Sequence, residues 1–468
     1  MNPPISPLRA QLAVGRSAHD VTRHCLDAIA RYNPALNAVV TFNPDALQDA
    51  ARANALADTA RGLLHGLPIT VKDCFATAGL RTTSGHPPLA DYVPQEDAEL
   101  VARLRAQGAV LIGKTNLPPL AGDIQCANPV FGRTHNPFDP ALTSGGSSGG
   151  SAVAVAAGFS VLDLGSDLGG SIRIPAAFCG VAGMKITEGR WPLAGHIPPL
   201  PDRMRSVWHM LSPGLLARHV DDLRLGFAAL DDKPLALPAL PRSLRIAWCD
   251  DFSGIPLCRR THAGLQQAVA RLQAQGHQLV RDRPVDFDFR EVWNTYGEIL
   301  GVEIGLGLPR PQRWMLRAGR CFLPEKAHLT RAFVRGLRMS MDDYHQAFNV
   351  RLRLIAALES FLDGYDTWLC PVCPLTAFPH APYRLRLPSL TIDDTPWPYL
   401  DAGMALTVPF SLTGSPVISL PAGLQDGLPV GLQLIGKRHQ DERLLAVAGV
   451  VEKAGNGFYK APLIKDFQ

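Results

Sequence analysis

Two glycine-rich runs each hold a serine inside otherwise compact sequence. The first is Ser144–Gly150, SGGSSGG, with Ser147 at its centre; the second is Asp167–Pro175, DLGGSIRIP, where Ser171 follows two glycines. Flexible Gly/Ser linkers lie between polar, low-complexity segments. Here apolar sequence bounds both runs, SAVAVAAG after the first, SVLDLGS before the second and AAFCGVAG after it. The glycines therefore serve a fixed backbone. Glycine permits positive φ and close approach of backbone to a guest, and successive amides of such a turn form an anion nest. A phosphate would call for GxxxxGK[ST], which the chain lacks. An oxyanion suits acyl transfer, and a serine within the run is then the nucleophile.

Gly145–Gly149 formally matches GxSxG, but that elbow needs an apolar strand directly before it, and THNPFDPALTS is a turn-rich loop. Ser171 has the better context, because FSVLDLGSD reads as a strand and Gly169 and Gly170 supply close amides. A serine hydroxyl needs a base to take its proton. The fourteen histidines are scattered outside any motif, although a fold can bring one close, and Ser-x-x-Lys spacing is absent. A lysine from a distant segment is the other candidate. Lysines number nine against 37 arginines, and Lys72 stands at the end of the strand-like PITVKD.

The elements that must position these residues are legible in outline. SAHDVTRHCLDAIARY has helical spacing, stopped by Asn33 and Pro34, and PDALQDAARANALADTARG reads as a second helix ended by Gly62. Pro68 to Val71 is a short strand that delivers Lys72. DAELVARLRAQGAVLIGKTN is a helix, a glycine stop and a strand, half of a βαβ unit. SAVAVAAGFS is a helix of small residues. LRIAWCDD to GHQLV is strand, helix, strand, and Arg190 to Pro241 reads as a turn-rich excursion or lid. Strands and helices alternate from Gly66 to the end, which predicts an α/β fold: one large mixed, twisted sheet covered by helices on both faces.

Composition is that of a globular chain with a large core: 46% apolar, 19% charged, net charge +4 over 468 residues. Basic residues form no stripe, so no nucleic-acid partner is expected. The start lacks the apolar core of a signal peptide and no run is long enough to span a bilayer, so a cytoplasmic chain without membrane attachment is expected. Nine cysteines, an odd number and widely spread, suit free thiols. Cys370 and Cys373 form a CxxC without a second ligand pair, and read as core cysteines at a strand end.

With these residues in view, the chain resembles the amidase signature hydrolases. The resemblance rests on Thr143–Thr187, TSGGSSGGSAVAVAAGFSVLDLGSDLGGSIRIPAAFCGVAGMKIT, and on LHGLPITVKDCFATAGLRTTSG, GAVLIGKTNLP and VPFSLTGSPVISLPAGLQDGLPVGLQLIG. It implies one amidase-signature domain: residues 1–65 as a helical segment packed on a core of 66–468, with 143–187 as signature and about 190–360 as a variable region shaping the pocket. It implies a Ser-cisSer-Lys triad of Lys72 as base, Ser147 as bridging serine after a cis peptide, and Ser171 as acylated nucleophile. The oxyanion hole falls on the amides of Leu168, Gly169, Gly170 and Ser171, and the acyl pocket on Ala121, Gly122 and Asp123. Asp167 and Arg173 are expected to brace the loop, and Asp73 to orient the strand end. One departure from the family pattern is Ile186 in GMKIT, where proline is usual. The implied activity is hydrolysis of a small-molecule carboxamide with neither metal nor other cofactor, by a chain that admits a homodimer. The alternative is a glutamine-hydrolysing subunit of a tRNA-dependent amidotransferase.

Overall fold

The computed structural model describes residues 7–56, 61–200, 206–231, 233–318, 323–381, 389–455 and 457–464. Within them one sheet has eleven strands: β1 (Val39–Phe42), β2 (Pro68–Lys72), β3 (Val110–Thr115), β4 (Leu162–Asp167), β5 (Ala182–Lys185), β6 (Ser212–Ala217), β7 (Arg245–Trp248), β8 (Gln278–Arg281), β9 (Thr367–Pro371), β10 (Val417–Gln425) and β11 (Leu428–Ile435). Their order is β1-β3-β2-β4-β6-β5-β10-β11-β9-β7-β8. The sheet is mixed, as expected. β2 runs parallel to both β3 and β4, while β6 is antiparallel to β4 and β5. Because β2 and β4 are parallel, Lys72 and Asp167 leave the sheet at the same edge, the carboxyl end where α/β sheets bind ligands.

The buried strands read as near-continuous apolar sequence, PITVK and VLIGKT among them, as strands covered on both faces must. The helix of small residues, Gly149–Ala156, is buried along its whole length. It packs on β2, β3, β4 and β6, which only alanine, glycine, serine and valine side chains permit at that distance. No helix among the described residues is long and apolar enough to cross a membrane. Cys370 and Cys373 are buried free thiols at the end of β9, as read, and so are the other six described cysteines; Cys321 lies outside the described residues.

The structure corrects the reading of the chain at several points. A short helix, Pro7–Ala13, precedes the first expected one, Ala18–Leu36, which runs through Pro34 and ends at Asn37, whose φ is 51°. Pro34 falls in the last turn, where one lost N–H is offset by Asn33, whose side chain accepts from the amides of Ala38 and Val39 at 2.8 and 3.0 Å. The second helix, Ala46–Asn54, stops well before Gly62, and residues 57–60 of the expected helix lie outside the described ones. Residues 1–65 hold not only helices but β1, an edge strand of the sheet.

The segment from Arg190 to Pro241 is no excursion. It supplies β6, between β4 and β5 near the middle of the sheet, and the helix Val220–Leu230; residues 201–205 lie outside the described ones. Proline and glycine, here Pro213 and Gly214, are ordinarily rare in a central strand. Gly214 belongs there because a side chain would collide with the Met184 carbonyl of β5. Alternation also lapses, since four helices follow one another, Phe289–Gly307, Arg310–Ala318, His328–Gly336 and Met341–Leu362. A lid residue contributes little to stability, whereas Leu215 of β6 is fully buried in the core. Leu215→Ala should therefore lower the unfolding free energy by about 2–5 kcal/mol, read from urea or thermal denaturation.

Candidate active site

β2 ends in Lys72, a side chain with no exposure to solvent. Its Nζ lies 2.7 Å from Ser147 Oγ, 3.2 Å from Ser166 Oγ and 3.4 Å from the Ser166 carbonyl. Burial pushes the Lys72 pKa down, against the pull of surrounding groups that include Asp167 and Asp163. An amine so placed is drawn toward its neutral form, which carries a lone pair that can accept from a hydroxyl. Two further lysines, Lys114 and Lys185, are also fully buried, and burial lowers each to about 8. Among the described residues Lys185 donates to carbonyls only, those of Ser415 at 2.9 Å and Ile186 at 3.4 Å. Lys114 donates to the Phe75 carbonyl at 2.5 Å and to Thr82 Oγ1 at 3.0 Å, and that hydroxyl is spent on the Leu80 carbonyl. Of the three, Lys72 alone faces a serine of a glycine run.

Ser147 follows a cis peptide with Gly146, the geometry the family resemblance implies. Its side chain is buried, and the neighbouring Ser148 amide donates to the Ser171 carbonyl at 3.0 Å, which ties the two glycine runs together. Ser171 is partly exposed, and its hydroxyl has no hydrogen-bond partner among the described residues. It begins the turn into the short helix Arg173–Cys179, whose entry is closed by the Ile174 amide donating to the Gly170 carbonyl at 2.7 Å. Gly170 has a φ of 121°, a conformation that side chains rarely adopt, so the residue before the serine must be glycine.

The loop between β4 and Ser171 is braced from below. Asp167 and Arg173 form a fully buried bidentate pair, with Nη2 to Oδ1 at 2.8 Å and Nε to Oδ2 at 3.0 Å. Burial alone would raise the Asp167 pKa, but the Arg173 charge and hydrogen bonds outweigh it and hold the carboxyl well below the usual range. Arg173 also donates to the Thr407 carbonyl at 2.7 Å and to Ser411 Oγ at 2.8 Å. The same carboxylate accepts from the Ile172 amide at 3.0 Å and from the Gly170 amide at 2.8 Å. This last bond corrects the expected oxyanion nest: the Gly170 amide is committed to Asp167. The amides of Leu168, Gly169 and Ser171 have no acceptor among the described residues.

Asp73 orients its own loop, accepting from the Thr83 amide at 3.0 Å and Thr83 Oγ1 at 2.6 Å. Of the three expected pocket residues, Asp123 is the one brought to the serines. A Cβ on Gly146 would stand 2.7 Å from the Asp123 carbonyl oxygen, so that segment lies directly against the cis peptide. Asp123 Oδ1 accepts from Tyr399 Oη at 2.8 Å. Ala121, with φ 58°, packs against the main apolar cluster, and Gly122 is exposed. Ile186 is fully buried. Several neighbours were not singled out from sequence: Ser166, Tyr296, Met404 and Thr407. Ser166 sits one position before Asp167, and its place in the strand was a usable signal. The others come from more than 100 residues away, and nothing local marks them.

Comparison with known proteins follows the same lines. A family model described as Amidase matches residues 20–445. A glutamyl-tRNA(Gln) amidotransferase subunit from Thermosynechococcus vestitus is 34% identical over 473 residues, covering 94% of this chain and 95% of that protein. A crystal structure of an amidase superposes with a TM-score of 0.80 at 30% identity, covering 96% of this chain and 99% of that one. The 6-aminohexanoate cyclic dimer hydrolase in complex with substrate gives a TM-score of 0.79 at 25% identity, covering 99% of both chains. The brace beneath the loop is open to a direct test. Asp167→Asn leaves Arg173 charged, buried and without its carboxylate, and should cost about 3–5 kcal/mol in denaturant unfolding. The folded-state pKa of Asp167 is depressed, so the wild-type advantage should be full above about pH 4 and fade as pH falls through the lowered value.

Proposed function

The chain belongs to the Amidase family, and on that premise we propose that it hydrolyses a carboxamide to a carboxylate and ammonia or an amine through an acyl-enzyme on Ser171. The observation that carries this reading is the 2.7 Å approach of a dry Lys72 amine to the Ser147 hydroxyl, with Ser148 bound to the Ser171 backbone. Neutral Lys72 accepts the Ser147 proton while Ser147 accepts that of Ser171, and the Ser171 oxygen attacks the amide carbon. The carbonyl π electrons move to oxygen, and the amides of Leu168, Gly169 and Ser171 receive that charge. The proton on Lys72 returns through Ser147 to the departing nitrogen as the C–N bond breaks. Water then follows the same relay, releases the acid and restores Ser171. Each proton taken is given back, and the cycle needs no metal or nucleotide.

We assign residues 66–468, with β1 completing the edge of their sheet, to the catalytic core and about 190–360 to shaping its pocket. What supports the second assignment is Tyr296, on the helix Phe289–Gly307, whose hydroxyl would lie 2.7 Å from a Cβ on Gly169. We assign Asp123, whose carbonyl lies against Gly146 and whose carboxylate accepts from Tyr399, to the polar lining of the pocket. We place the protein in the cytoplasm, where eight buried free thiols stay reduced, acting as monomer or homodimer on a small amide. The second reading is a glutamine-hydrolysing subunit that hands ammonia to a partner in a tRNA-dependent amidotransferase, and the T. vestitus relative favours it.

Two measurements check the scheme. Intact-mass analysis after treatment with a fluorophosphonate should show one adduct, mapped to Ser171 and lost in Ser171→Ala; labelling that persists in that variant removes the nucleophile assignment. Lys72→Ala should slow acylation about 10²–10⁴-fold, and the limb of kcat/KM that rises with pH in the wild type should vanish with it. Ammonia release from a panel of amides, glutamine included, separates the two functions. Turnover of simple amides by the isolated chain, unchanged by chelator, is the expected result. Activity confined to glutamine and dependent on added partner subunits and charged tRNA would establish the second reading instead.

A further inference from the structure

A nest of amides stabilises an oxyanion only if its donors are aimed before charge develops. Here the nest is built on Gly169-Gly170, the dipeptide with the greatest backbone freedom. Something must hold it. The central peptide of the loop, between Gly169 and Gly170, is gripped at both ends. Its N–H donates to Asp167 Oδ1 at 2.8 Å, and its carbonyl accepts from Thr407 Oγ1 at 2.6 Å, the same hydroxyl lying 3.0 Å from the Met404 carbonyl. Thr407 is fully buried and lies 238 residues further along the chain than Gly169.

Thr407 also grips the other side of the brace. Its carbonyl accepts from Arg173 Nη1 at 2.7 Å, and Arg173 holds Asp167. The bonds form a closed ring: Thr407 hydroxyl to Gly169 carbonyl, Gly170 amide to Asp167, Asp167 to Arg173, Arg173 to Thr407 carbonyl. The flanking peptides are pinned by their carbonyls as well, Leu168 by Tyr296 Oη at 3.4 Å and Gly170 by the Ile174 amide at 2.7 Å. In a trans peptide the N–H points opposite to the C=O. Each pinned carbonyl therefore turns the amide of the next residue, Gly169 or Ser171, the other way, and these are two of the three loop amides with no acceptor among the described residues.

We propose that Thr407 is the positioning residue of the oxyanion nest: its hydroxyl fixes the Gly169–Gly170 peptide so that the amides on both sides stand ready for the tetrahedral intermediate. The proposal rests on the reading of Ser171 as nucleophile. Thr407 touches no reacting atom, so its loss should act on the transition state and spare substrate binding.

Thr407→Val removes the hydroxyl at nearly constant volume, and Thr407→Ser keeps it. The valine variant should lose at least tenfold in kcat with KM within twofold of wild type. The inhibition constant of a boronic acid analogue of the acyl group, whose tetrahedral adduct puts an oxygen in the nest, should rise by a similar factor. Thr407→Ser should restore both to within about threefold, since the hydroxyl alone is at issue. If valine impairs folding, Thr407→Ala carries the same comparison with serine. A valine or alanine variant with kcat within twofold of wild type overturns the proposal. So does a loss confined to KM with boronic acid affinity unchanged, or a serine variant as impaired as valine. Failure of the premise reads differently: a wild-type fluorophosphonate adduct on a residue other than Ser171 removes the nucleophile, and the nest with it.

Discussion

An ammonium ion would be useless at the end of β2. As the proposed base, Lys72 has to give up its charge to accept a proton, and the main agent at this site is the withdrawal of water. The fold supplies that withdrawal by stacking β3, β4 and the small-residue helix Gly149–Ala156 around the amine until it has no exposure. Everything else at the site answers to this condition. The neighbours of Nζ are uncharged hydroxyls and a carbonyl, so no carboxylate lies in direct contact to draw the proton back. Asp167, which does pull the other way, is neutralised by Arg173 beneath the loop.

Burial by itself does not make a base. Lys114 and Lys185 are as dry as Lys72, yet Lys185 ends on carbonyls, and Lys114 on a carbonyl and a hydroxyl already committed elsewhere, with the buried Asp73 carboxylate 3.8 Å away. The distinguishing feature of Lys72 is the hydroxyl of Ser147, whose chain neighbour Ser148 binds the backbone of a second, partly exposed serine, Ser171. The glycine runs make that arrangement sterically feasible. Gly146 lets the Asp123–Gln125 backbone lie against the cis peptide, and Gly170 lets the chain turn into Ser171 at positive φ.

The parts of the site that could be read from sequence are those whose information is local. A strand ending in lysine, a strand ending in aspartate and a double glycine before serine each occupy a few adjacent residues, and the structure has them where the pattern indicates. β6 was missed because proline and glycine ordinarily exclude a central strand; the Gly214 that obscured it is required by contact with β5, which no linear pattern reveals. Pro34 misled for the converse reason, since its cost is offset by Asn33 bonds to residues beyond the helix end. The Gly170 amide is committed locally, to Asp167 three residues before it, but the grip of Thr407 and the approach of Tyr296 depend on chain crossings of more than 100 residues. They are properties of topology.

Burial lowers the Lys72 pKa and so favours the neutral amine that the relay needs, and its charge state can be observed directly. In protein labelled with ¹⁵N at lysine Nζ, nine resonances are expected, and the Lys72 signal is assigned by its loss in Lys72→Met. This signal should titrate below the ordinary lysine value of about 10.4, in the direction set by burial. A Lys72 resonance that remains that of an ammonium up to the ordinary lysine range would contradict it, because the relay would then have no acceptor at the pH where the protein must work.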